Sequence, residues 1–223
     1  MSTWAVLVAA GRGERLGEDR PKAFVRLGDL PLLAEPLRRL DESAWLDAIV
    51  VVAPPEWEEP AILCAEEIGA SKVAACVTGA EMRTGSVRAG VAEVPDDAAV
   101  VLVHDAARPL LPPEVVPRLI EALAGGWDGA VPALPIADTV KRVRDGAIVE
   151  TLARDDLVTV QTPQAFVAPV LRAALEASDT VSQATDCAAL VEAHGGRVTV
   201  VPGDERLLKV TTRADLERVS AWL

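Results

Sequence analysis

Residues 4–17 are Trp4-Ala5-Val6-Leu7-Val8-Ala9-Ala10-Gly11-Arg12-Gly13-Glu14-Arg15-Leu16-Gly17, an apolar run followed by a glycine-rich basic segment. The apolar run is typical of a buried strand. Glycine lets the backbone turn tightly and bring its N–H groups close to an anion, because no Cβ stands in the way. The basic side chains that could neutralise a polyphosphate there are Arg12, Arg15, Arg20 and Lys22. The pattern predicts a phosphate-binding loop after the first strand, with a charged surface turn as the alternative.

Two familiar glycine loops do not match this segment. A dinucleotide-binding turn has the spacing G-x-G-x-x-G, whereas the third glycine here, Gly17, comes one position late. A Walker loop ends in Gly-Lys-Ser/Thr, but Gly17 is followed by Glu18. If the segment binds phosphate, it does so as another kind of loop.

Strand-like and helix-like segments alternate along most of the chain. Further apolar runs predict strands at Ala48–Ala53, Val73–Val77, Val100–Val103, Ala130–Leu134 and Val198–Val201. Helical spacing or composition predicts helices at Leu32–Leu40, Glu56–Ile68, Gly85–Val94, Glu114–Ala124, Pro169–Ala177 and Ala184–Ala193, and a last helix capped by Thr212 and Asp215. This alternation predicts an α/β fold with an open, mostly parallel sheet, in one domain over residues 1–223.

One segment breaks the alternation. Its two halves, Asp138–Val143 and Ala147–Leu152, have the pattern of strands and flank Asp145-Gly146, which is a strong hairpin signal. We therefore predict a β-hairpin arm over about residues 136–157. Because an isolated two-stranded ribbon is marginally stable in water, we expect the arm to pack on a second subunit. A flap over the chain's own site is the alternative.

Composition argues against several classes of function. The formal net charge of −12 speaks against nucleic-acid binding, which usually requires a basic face. The three cysteines, Cys64, Cys76 and Cys187, stand far apart, so a structural zinc site is not expected. No apolar run approaches the roughly 20 residues that span a bilayer, and the amino terminus has a strand pattern in place of a signal peptide. We therefore expect a cytoplasmic protein that binds neither nucleic acid nor membrane.

In open α/β sheets, ligands bind beyond the carboxyl ends of the strands. Besides the glycine loop, the segments that follow predicted strands there include Thr78–Arg83 and His104–Pro109. Asp105 could approach Mg²⁺, which commonly takes one or two protein carboxylates together with nucleotide phosphates, or it could cap the following turn. Arg108 adds a second polar group, and we interpret His104 as structural.

The sequence contains no recognisable nucleophile motif, because it has no G-x-S-x-G elbow and neither histidine stands with Ser or Cys in a known arrangement. Phosphoryl or nucleotidyl transfer to a substrate that already has an ionised phosphate needs no strong base. It needs positioning and charge stabilisation. A site rich in Arg and Lys beside a Mg²⁺ ligand fits this reaction class.

Several blocks of the sequence together resemble one family. They are residues 9–17 with Pro21-Lys22, then Val103–Pro109, Asp138–Lys141, Gln161–Phe166, Thr185-Asp186 and Leu208–Thr211. In this order, over nearly the whole chain, they resemble the 2-C-methyl-D-erythritol 4-phosphate cytidylyltransferases of non-mevalonate isoprenoid biosynthesis. The blocks around Asp105 and Thr162 are the most specific, whereas the glycine loop alone indicates only the wider nucleotidyltransferase superfamily.

The resemblance implies a Rossmann-like nucleotidyltransferase fold and a homodimer whose hairpin arms reach into the neighbouring site. The implied reaction is attack of the 4-phosphate oxygen of methylerythritol phosphate on the α-phosphorus of CTP in the presence of Mg²⁺. It releases pyrophosphate and gives 4-diphosphocytidyl-2-C-methyl-D-erythritol.

The resemblance also implies roles for individual residues. Arg15 and Lys22 would stabilise the transition state, and Arg154 and Lys209 would position the substrate phosphate. The residues that would contact the nucleotide are Ala9, Ala10, Gly11, Gly13, Ala80, Glu81 and Ser86. Those of the methylerythritol phosphate pocket, some from the partner chain, would be Asp105, Arg108, Thr139, Thr162 and Thr185, with Asp105 also facing the metal.

Some positions depart from the family pattern, namely Ala23, Thr78-Gly79-Ala80 and Leu157-Val158, but none of them removes a charged catalytic position. A cytidylyltransferase for ribitol 5-phosphate would share almost every motif and is the nearest alternative. A non-catalytic CTP sensor is a second alternative. A sensor would not need the four cations assigned to catalysis.

Overall fold

Strands and helices alternate in the computed structural model, which describes residues 2–11, 19–177 and 186–223. The strands are β1 Ser2–Val8, β2 Arg26–Leu27, β3 Leu30–Pro31, β4 Ala48–Ala53, β5 Val73–Thr78, β6 Ala98–Asp105, β7 Gly129–Pro135, β8 Val140–Arg144, β9 Ala147–Leu152, β10 Val158–Val160, β11 Gln164–Val167 and β12 Val198–Pro202. The α-helices are α1 Ala34–Asp41, α2 Glu58–Glu67, α3 Arg83–Ala92, α4 Val115–Ala124, α5 Ala168–Glu176, α6 Cys187–Ala193 and α7 Arg213–Ser220.

The main sheet has eight strands among the described residues, in the order β10-β7-β11-β6-β1-β4-β5, with β12 beside β7. Strand β1 lies parallel to β4 and β6, and β5 is parallel to β4. Strands β10 and β11 are antiparallel to their neighbours. The predicted α/β fold with a mostly parallel sheet is therefore confirmed.

Helices cover both faces of the sheet. Along β1, Leu7 belongs to a buried cluster with residues of α1 and α4, whereas Val6 belongs to a second cluster with residues of α3, α5 and α6. Successive strand residues point to opposite faces, so a strand buried on both faces must be apolar throughout. This requirement explains why continuous apolar runs predicted the strands of the sheet centre.

Helix α3 packs unusually close to the sheet at Gly90. A Cβ on Gly90 would lie 2.5 Å from Cγ1 of Val6 and 2.7 Å from Cγ2 of Val52. The missing side chain therefore allows α3 to lie directly over β1 and β4. This packing holds the first residue of α3, Arg83, near the carboxyl ends of those strands.

Strand β6 is longer than the sequence predicted. It continues to Asp105, because Leu7 and Val8 of β1 pair in parallel with His104 and Asp105. These two residues end the strand and do not begin the loop, which corrects the expectation that the loop starts at His104. Strands β10 and β11 were not predicted, since each is short and Pro163 separates them.

The predicted hairpin is present as β8 and β9, which form a two-stranded sheet of their own. Asp145 and Gly146 have φ angles of 49° and 79°, the left-handed values that a type I′ turn requires. Strand β8 begins at Val140, two residues later than predicted. The role of this hairpin as a dimer arm stays a prediction.

Within the described ranges, no helix combines the length and the apolar composition needed to cross a membrane.

Candidate active site

A cavity of about 270 Å³, here called the first cavity, lies beyond the carboxyl ends of β1 and β6. Its lining is Val8, Ala9, Ala10, Gly11, Lys22, Ala23, Ala80, Glu81, Arg83, Ser86, Asp105, Ala106, Ala107 and Lys209. Every described residue of the predicted nucleotide site is among them. The predicted cations Lys22 and Lys209 line the same cavity.

A second cavity of about 240 Å³ adjoins the first. Its lining is Arg83, Asp105, Arg108, Val160, Gln161, Thr162, Gln164, Asp186 and Lys209. The predicted substrate residues Asp105, Arg108 and Thr162 meet here. Arg83, Asp105 and Lys209 line both cavities, so one carboxylate and two cations stand where the cavities join.

The wall of the first cavity at Ala80 depends on two neighbouring residues. A Cβ on Gly79 would lie 2.3 Å from Cβ of Ala10, so the backbone at residue 79 can approach the glycine loop only without a side chain. The buried Ser86 hydroxyl accepts the backbone N–H of Ala80 at 3.0 Å and lies 3.1 Å from the carbonyl oxygen of Ala80. Ser86 therefore fixes the shape of this wall, and its predicted contact with the nucleotide stays a prediction.

Asp105 is held by cations on both carboxylate oxygens. Nε and Nη2 of Arg83 lie 3.1 and 2.9 Å from Oδ1, and Nζ of Lys209 lies 2.6 Å from Oδ2. Burial alone would raise the pKa of Asp105, but the charges of Arg83 and Lys209 outweigh it and hold the pKa far below its usual value. The carboxylate is thus fixed in its charged form.

Lys209 lies in a segment, residues 207–210, that is hydrogen-bonded to the loop after β6. The backbone N–H of Val210 donates to the carbonyl oxygen of Ala107 at 2.8 Å, and Nη1 of Arg108 donates to the carbonyl oxygen of Leu207 at 2.5 Å. Nζ of Lys22 donates to the carbonyl oxygen of Val210 at 3.1 Å. These bonds bring cations from distant parts of the chain to one cavity.

Arg108 has an unusual environment. Its Nε is buried and has no hydrogen-bond partner among the described residues. Burial lowers the pKa of its guanidinium, with the attraction of Asp105 opposing that effect. A buried donor left unsatisfied is costly, and the side chain that contains it lines the second cavity.

His104 lies behind the second cavity and is fully buried. Burial lowers its pKa to about 4, so the ring is neutral near pH 7. Nε2 lies 3.1 Å from the carbonyl oxygen of Arg108, and Nδ1 lies 3.1 Å from the hydroxyl of Thr162. This placement agrees with the interpretation of His104 as structural and shows which residues it supports.

Gln164 and Asp186 tie β11 to the start of α6. Nε2 of Gln164 donates to Oδ2 of Asp186 at 2.8 Å, while its Oε1 accepts the backbone N–H of Cys187 at 3.2 Å. Oδ1 of Asp186 accepts the N–H of Ala189 at 2.9 Å and caps the helix. Both side chains therefore form a fixed wall of the second cavity.

The structure does not bring all predicted site residues together. Thr139 and Arg154 are exposed at the base of the hairpin, outside both cavities, and Nη1 of Arg154 donates to the carbonyl oxygen of Ala137. Gly13, Arg15 and Thr185 lie outside the described residues. The roles assigned to these five residues stay predictions.

Sequence reasoning assigned no role to Arg83, Gln164 or Asp186. Arg83 ends the segment Thr78–Arg83, which follows a predicted strand, and that position is the available signal. Its partner Asp105 is 22 residues away, and Nη1 of Arg83 also approaches Sγ of Cys187 at 3.6 Å, 104 residues away. Such contacts follow from the tertiary fold.

Metal binding can be judged from the same residues. The described residues contain no group of three or more His, Cys, Asp and Glu side chains arranged to hold a metal ion. A Mg²⁺ ion that binds mainly to phosphates needs fewer, often one or two carboxylates. Oδ2 of Asp105 accepts one hydrogen bond, from Lys209, and retains a lone pair that fits this mode.

These features define a nucleotidyltransferase: a Rossmann-like α/β fold, a glycine loop after the first strand, and adjoining cavities with a carboxylate and cations between them. The model of the family IspD, 2-C-methyl-D-erythritol 4-phosphate cytidylyltransferase, matches residues 3–223. The chain belongs to this family.

Individual relatives agree with this membership. The 2-C-methyl-D-erythritol 4-phosphate cytidylyltransferase of Rhodococcus jostii is 45% identical over 95% of this chain and 91% of that protein. The enzyme of the same name from Frankia casuarinae is 46% identical over 98% of this chain and 80% of that protein. The crystal structure of the Francisella tularensis enzyme of this name is similar with a TM-score of 0.85, 27% identity and 100% of both chains covered.

Proposed function

We propose that this site transfers CMP from CTP to 2-C-methyl-D-erythritol 4-phosphate, the family's reaction in non-mevalonate isoprenoid biosynthesis. The observation that carries the proposal is the meeting of the two cavities at Asp105, Arg83 and Lys209. Two substrates whose phosphates react must bind side by side, and cations between the two pockets would offset the phosphate charge.

In this arrangement CTP occupies the first cavity. The backbone of Ala9, Ala10 and Gly11 lies against the phosphates, and the wall around Ala80 and Glu81 faces the ribose and base. Lys22, together with Arg15, stabilises the charge that develops as the α-phosphorus is attacked. The support for this role is the position of Lys22 in the lining of the first cavity.

Methylerythritol phosphate occupies the second cavity. Arg108 and Thr162 contact it, and Lys209 orients its phosphate toward the first cavity. A phosphate oxygen forms a bond to the α-phosphorus of CTP, the bond between the α-phosphorus and the bridging oxygen breaks, and pyrophosphate leaves with the electron pair. The nucleophile is already an anion, so positioning replaces a general base.

Mg²⁺ fits the donor set around Asp105, because Oδ2 accepts one hydrogen bond from the described residues and retains a lone pair. When bound, the ion would neutralise phosphate charge and polarise the α-phosphoryl group. Asp105 would hold it from the protein side. Arg83 keeps the carboxylate in place through Oδ1, while Oδ2 accepts from Lys209 and retains a lone pair for the ion.

We further propose a cytoplasmic homodimer that binds neither nucleic acid nor membrane. The hairpin exposes Val143, Ile148 and Val149 to solvent, with 56%, 65% and 52% of each residue accessible. Contact with a second copy would cover these side chains. It would also carry Thr139 and Arg154, which lie outside this chain's cavities, toward the neighbouring site.

Product analysis tests the proposed function. The purified chain is incubated with methylerythritol phosphate, Mg²⁺ and one of CTP, ATP, GTP or UTP, and ³¹P NMR follows the phosphorus signals. We expect a new diphosphate diester and free pyrophosphate with CTP, and far slower turnover with the other nucleotides. CTP binding without pyrophosphate release would support a sensor and contradict the proposal.

A further inference from the structure

His104 lines neither cavity, yet it is bonded to residues of the second one. Nε2 faces the carbonyl oxygen of Arg108 at 3.1 Å, and Nδ1 faces the hydroxyl of Thr162 at 3.1 Å. The same hydroxyl accepts the backbone N–H of Asp105 at 3.0 Å. One chain of hydrogen bonds therefore links Asp105, Thr162, His104 and Arg108.

The partners fix the direction of each bond in this chain. A carbonyl oxygen can only accept, so Nε2 of His104 carries the proton that is donated to Arg108. In a neutral ring Nδ1 is then an acceptor, and the Thr162 hydroxyl must donate to it. The Thr162 oxygen remains free to accept from the backbone N–H of Asp105, so the His104 ring and the Thr162 hydroxyl are both fully used.

Strand pairing between β6 and β11 does not extend to this corner of the site. The antiparallel pairing of β11 with β6 ends at Gln164 and Val103. Beyond that pair, the Thr162 hydroxyl replaces a backbone acceptor for the N–H of Asp105. The orientation of that hydroxyl depends on His104, so His104 supports the link between the end of β6 and the segment before β11.

We propose that His104 is a positioning residue for methylerythritol phosphate in the second cavity. It acts through Thr162 and through the backbone at Arg108, and it does not touch the substrate. This inference rests on the proposed function, because it assigns the second cavity to methylerythritol phosphate. It goes beyond that function in naming the residue that sets the geometry of the cavity.

Substitution of His104 is expected to affect the binding of methylerythritol phosphate alone. The bonds of His104 reach Thr162 and Arg108, which line the second cavity and not the first. The side chain of Asp105, which lines both, is held separately by Arg83 and Lys209. Disturbing His104 should therefore change the handling of methylerythritol phosphate and leave CTP binding unchanged.

The first test reads the ring directly in the unaltered chain. The sequence contains two histidines, His104 and His194, and His194 is exposed. The ¹⁵N NMR signals of the imidazole nitrogens are recorded at pH 8 in the unaltered chain and in His194→Gln, which assigns them. A His104 ring protonated at Nε2 alone supports the proposal. Protonation at Nδ1 would overturn it.

The second test is kinetic. His104→Gln keeps a donor near the Arg108 carbonyl but removes the acceptor of the Thr162 hydroxyl. We expect the KM for methylerythritol phosphate to rise about tenfold, since one lost buried bond is worth roughly a factor of ten, while the KM for CTP changes less than about twofold. Val101→Ala, a buried apolar truncation on the same strand, is the control for lost stability. Equal changes for both substrates, or the same split in Val101→Ala, would overturn the proposal.

A double-mutant cycle separates action through Thr162 from independent effects. If His104 acts through the Thr162 hydroxyl, adding His104→Gln to Thr162→Val should worsen the KM for methylerythritol phosphate by less than about twofold. If the two effects multiply, the proposed route is wrong. Failure of the unaltered chain to use methylerythritol phosphate at all would contradict the proposed function, while the NMR test would still judge the hydrogen-bond chain.

Discussion

The guanidinium of Arg83 donates two hydrogen bonds to the same oxygen of Asp105, Oδ1, from Nε at 3.1 Å and from Nη2 at 2.9 Å. This leaves Oδ2 to Lys209, whose ammonium a substrate phosphate would also attract. Arg83 is the more buried cation of the two, with 27% of its side chain exposed against 40% for Lys209. Arg83 therefore holds the carboxylate in place, and Lys209 is the cation positioned to engage a ligand.

Replacing Arg83 by lysine keeps the positive charge but removes the pair of guanidinium nitrogens that bind Oδ1 of Asp105. A single ammonium cannot hold Oδ1 from two directions, so Asp105 should lose its fixed orientation. We expect kcat/KM to fall about tenfold or more, because small displacements of positioning groups are costly. Steady-state kinetics check this, with Arg88→Lys on the same helix as the control, since Arg88 lines neither cavity. Equal activity of the two variants would show that Arg83 does not orient Asp105 for the reaction.

Lys22→Ala should slow turnover without loosening CTP. A cation that acts on the transition state lowers the barrier more than it stabilises the ground state, so kcat should fall by about 10²–10³. The dissociation constant of CTP, measured by calorimetry, should change less than about threefold. Arg26→Ala, an exposed cation outside both cavities, is the control. A change limited to CTP affinity would contradict the role assigned to Lys22.

Folding stability should depend on pH through His104. Its pKa is about 4 in the folded protein against an ordinary value of 6.5, so between these pH values the unfolded chain binds a proton that the folded chain excludes. The resulting stability is fully present above about pH 6.5 and decreases as the pH falls toward 4, by on the order of 3 kcal/mol. Urea unfolding of the unaltered chain and of His104→Gln measures it. The stability difference between them should shrink over this range, and a constant difference would show that His104 is not held neutral.

The hairpin arm can be tested at Ile148, 65% of which is exposed. A charge at a buried dimer contact is strongly unfavourable, so Ile148→Asp should shift the protein to monomers in analytical ultracentrifugation. Activity should fall with dimerisation if Thr139 and Arg154 act in the neighbouring site. Leu63→Asp on α2, another exposed apolar position with 55% accessible, is the control. A fully active monomer would contradict the proposed exchange of arms.

Much of the fold could be predicted from local patterns. The strand Ala48–Ala53 was predicted with its observed bounds, because a strand buried on both faces must be apolar throughout. The hairpin turn was also predicted, since Asp145-Gly146 readily adopts the left-handed values that a type I′ turn needs. Strand β11 was not, because its pairing with β6 and β7 is set by the sheet and its four residues have no distinctive periodicity.

For the candidate site, the sequence indicated which segments lie at the cavities better than it indicated which side chains bond to each other. The glycine loop and the end of β6 indicated the first cavity, and resemblance to the family supplied Lys209, which lies 104 residues from Asp105. The sequence did not predict the hydrogen bonds from Arg83 to Asp105, nor those that link His104 to its neighbours. Both depend on which side chains the packed sheet brings within hydrogen-bonding distance, and no local spacing encodes that.

The most direct test of the assigned reaction is a competition between two polyol phosphates. The purified chain is given CTP and Mg²⁺ with equal concentrations of methylerythritol 4-phosphate and ribitol 5-phosphate, and mass spectrometry measures the ratio of the two cytidylylated products. That ratio reports relative kcat/KM directly. We predict that 4-diphosphocytidyl-2-C-methyl-D-erythritol is the dominant product. Preferential formation of the ribitol product, or of neither product, would contradict the assignment.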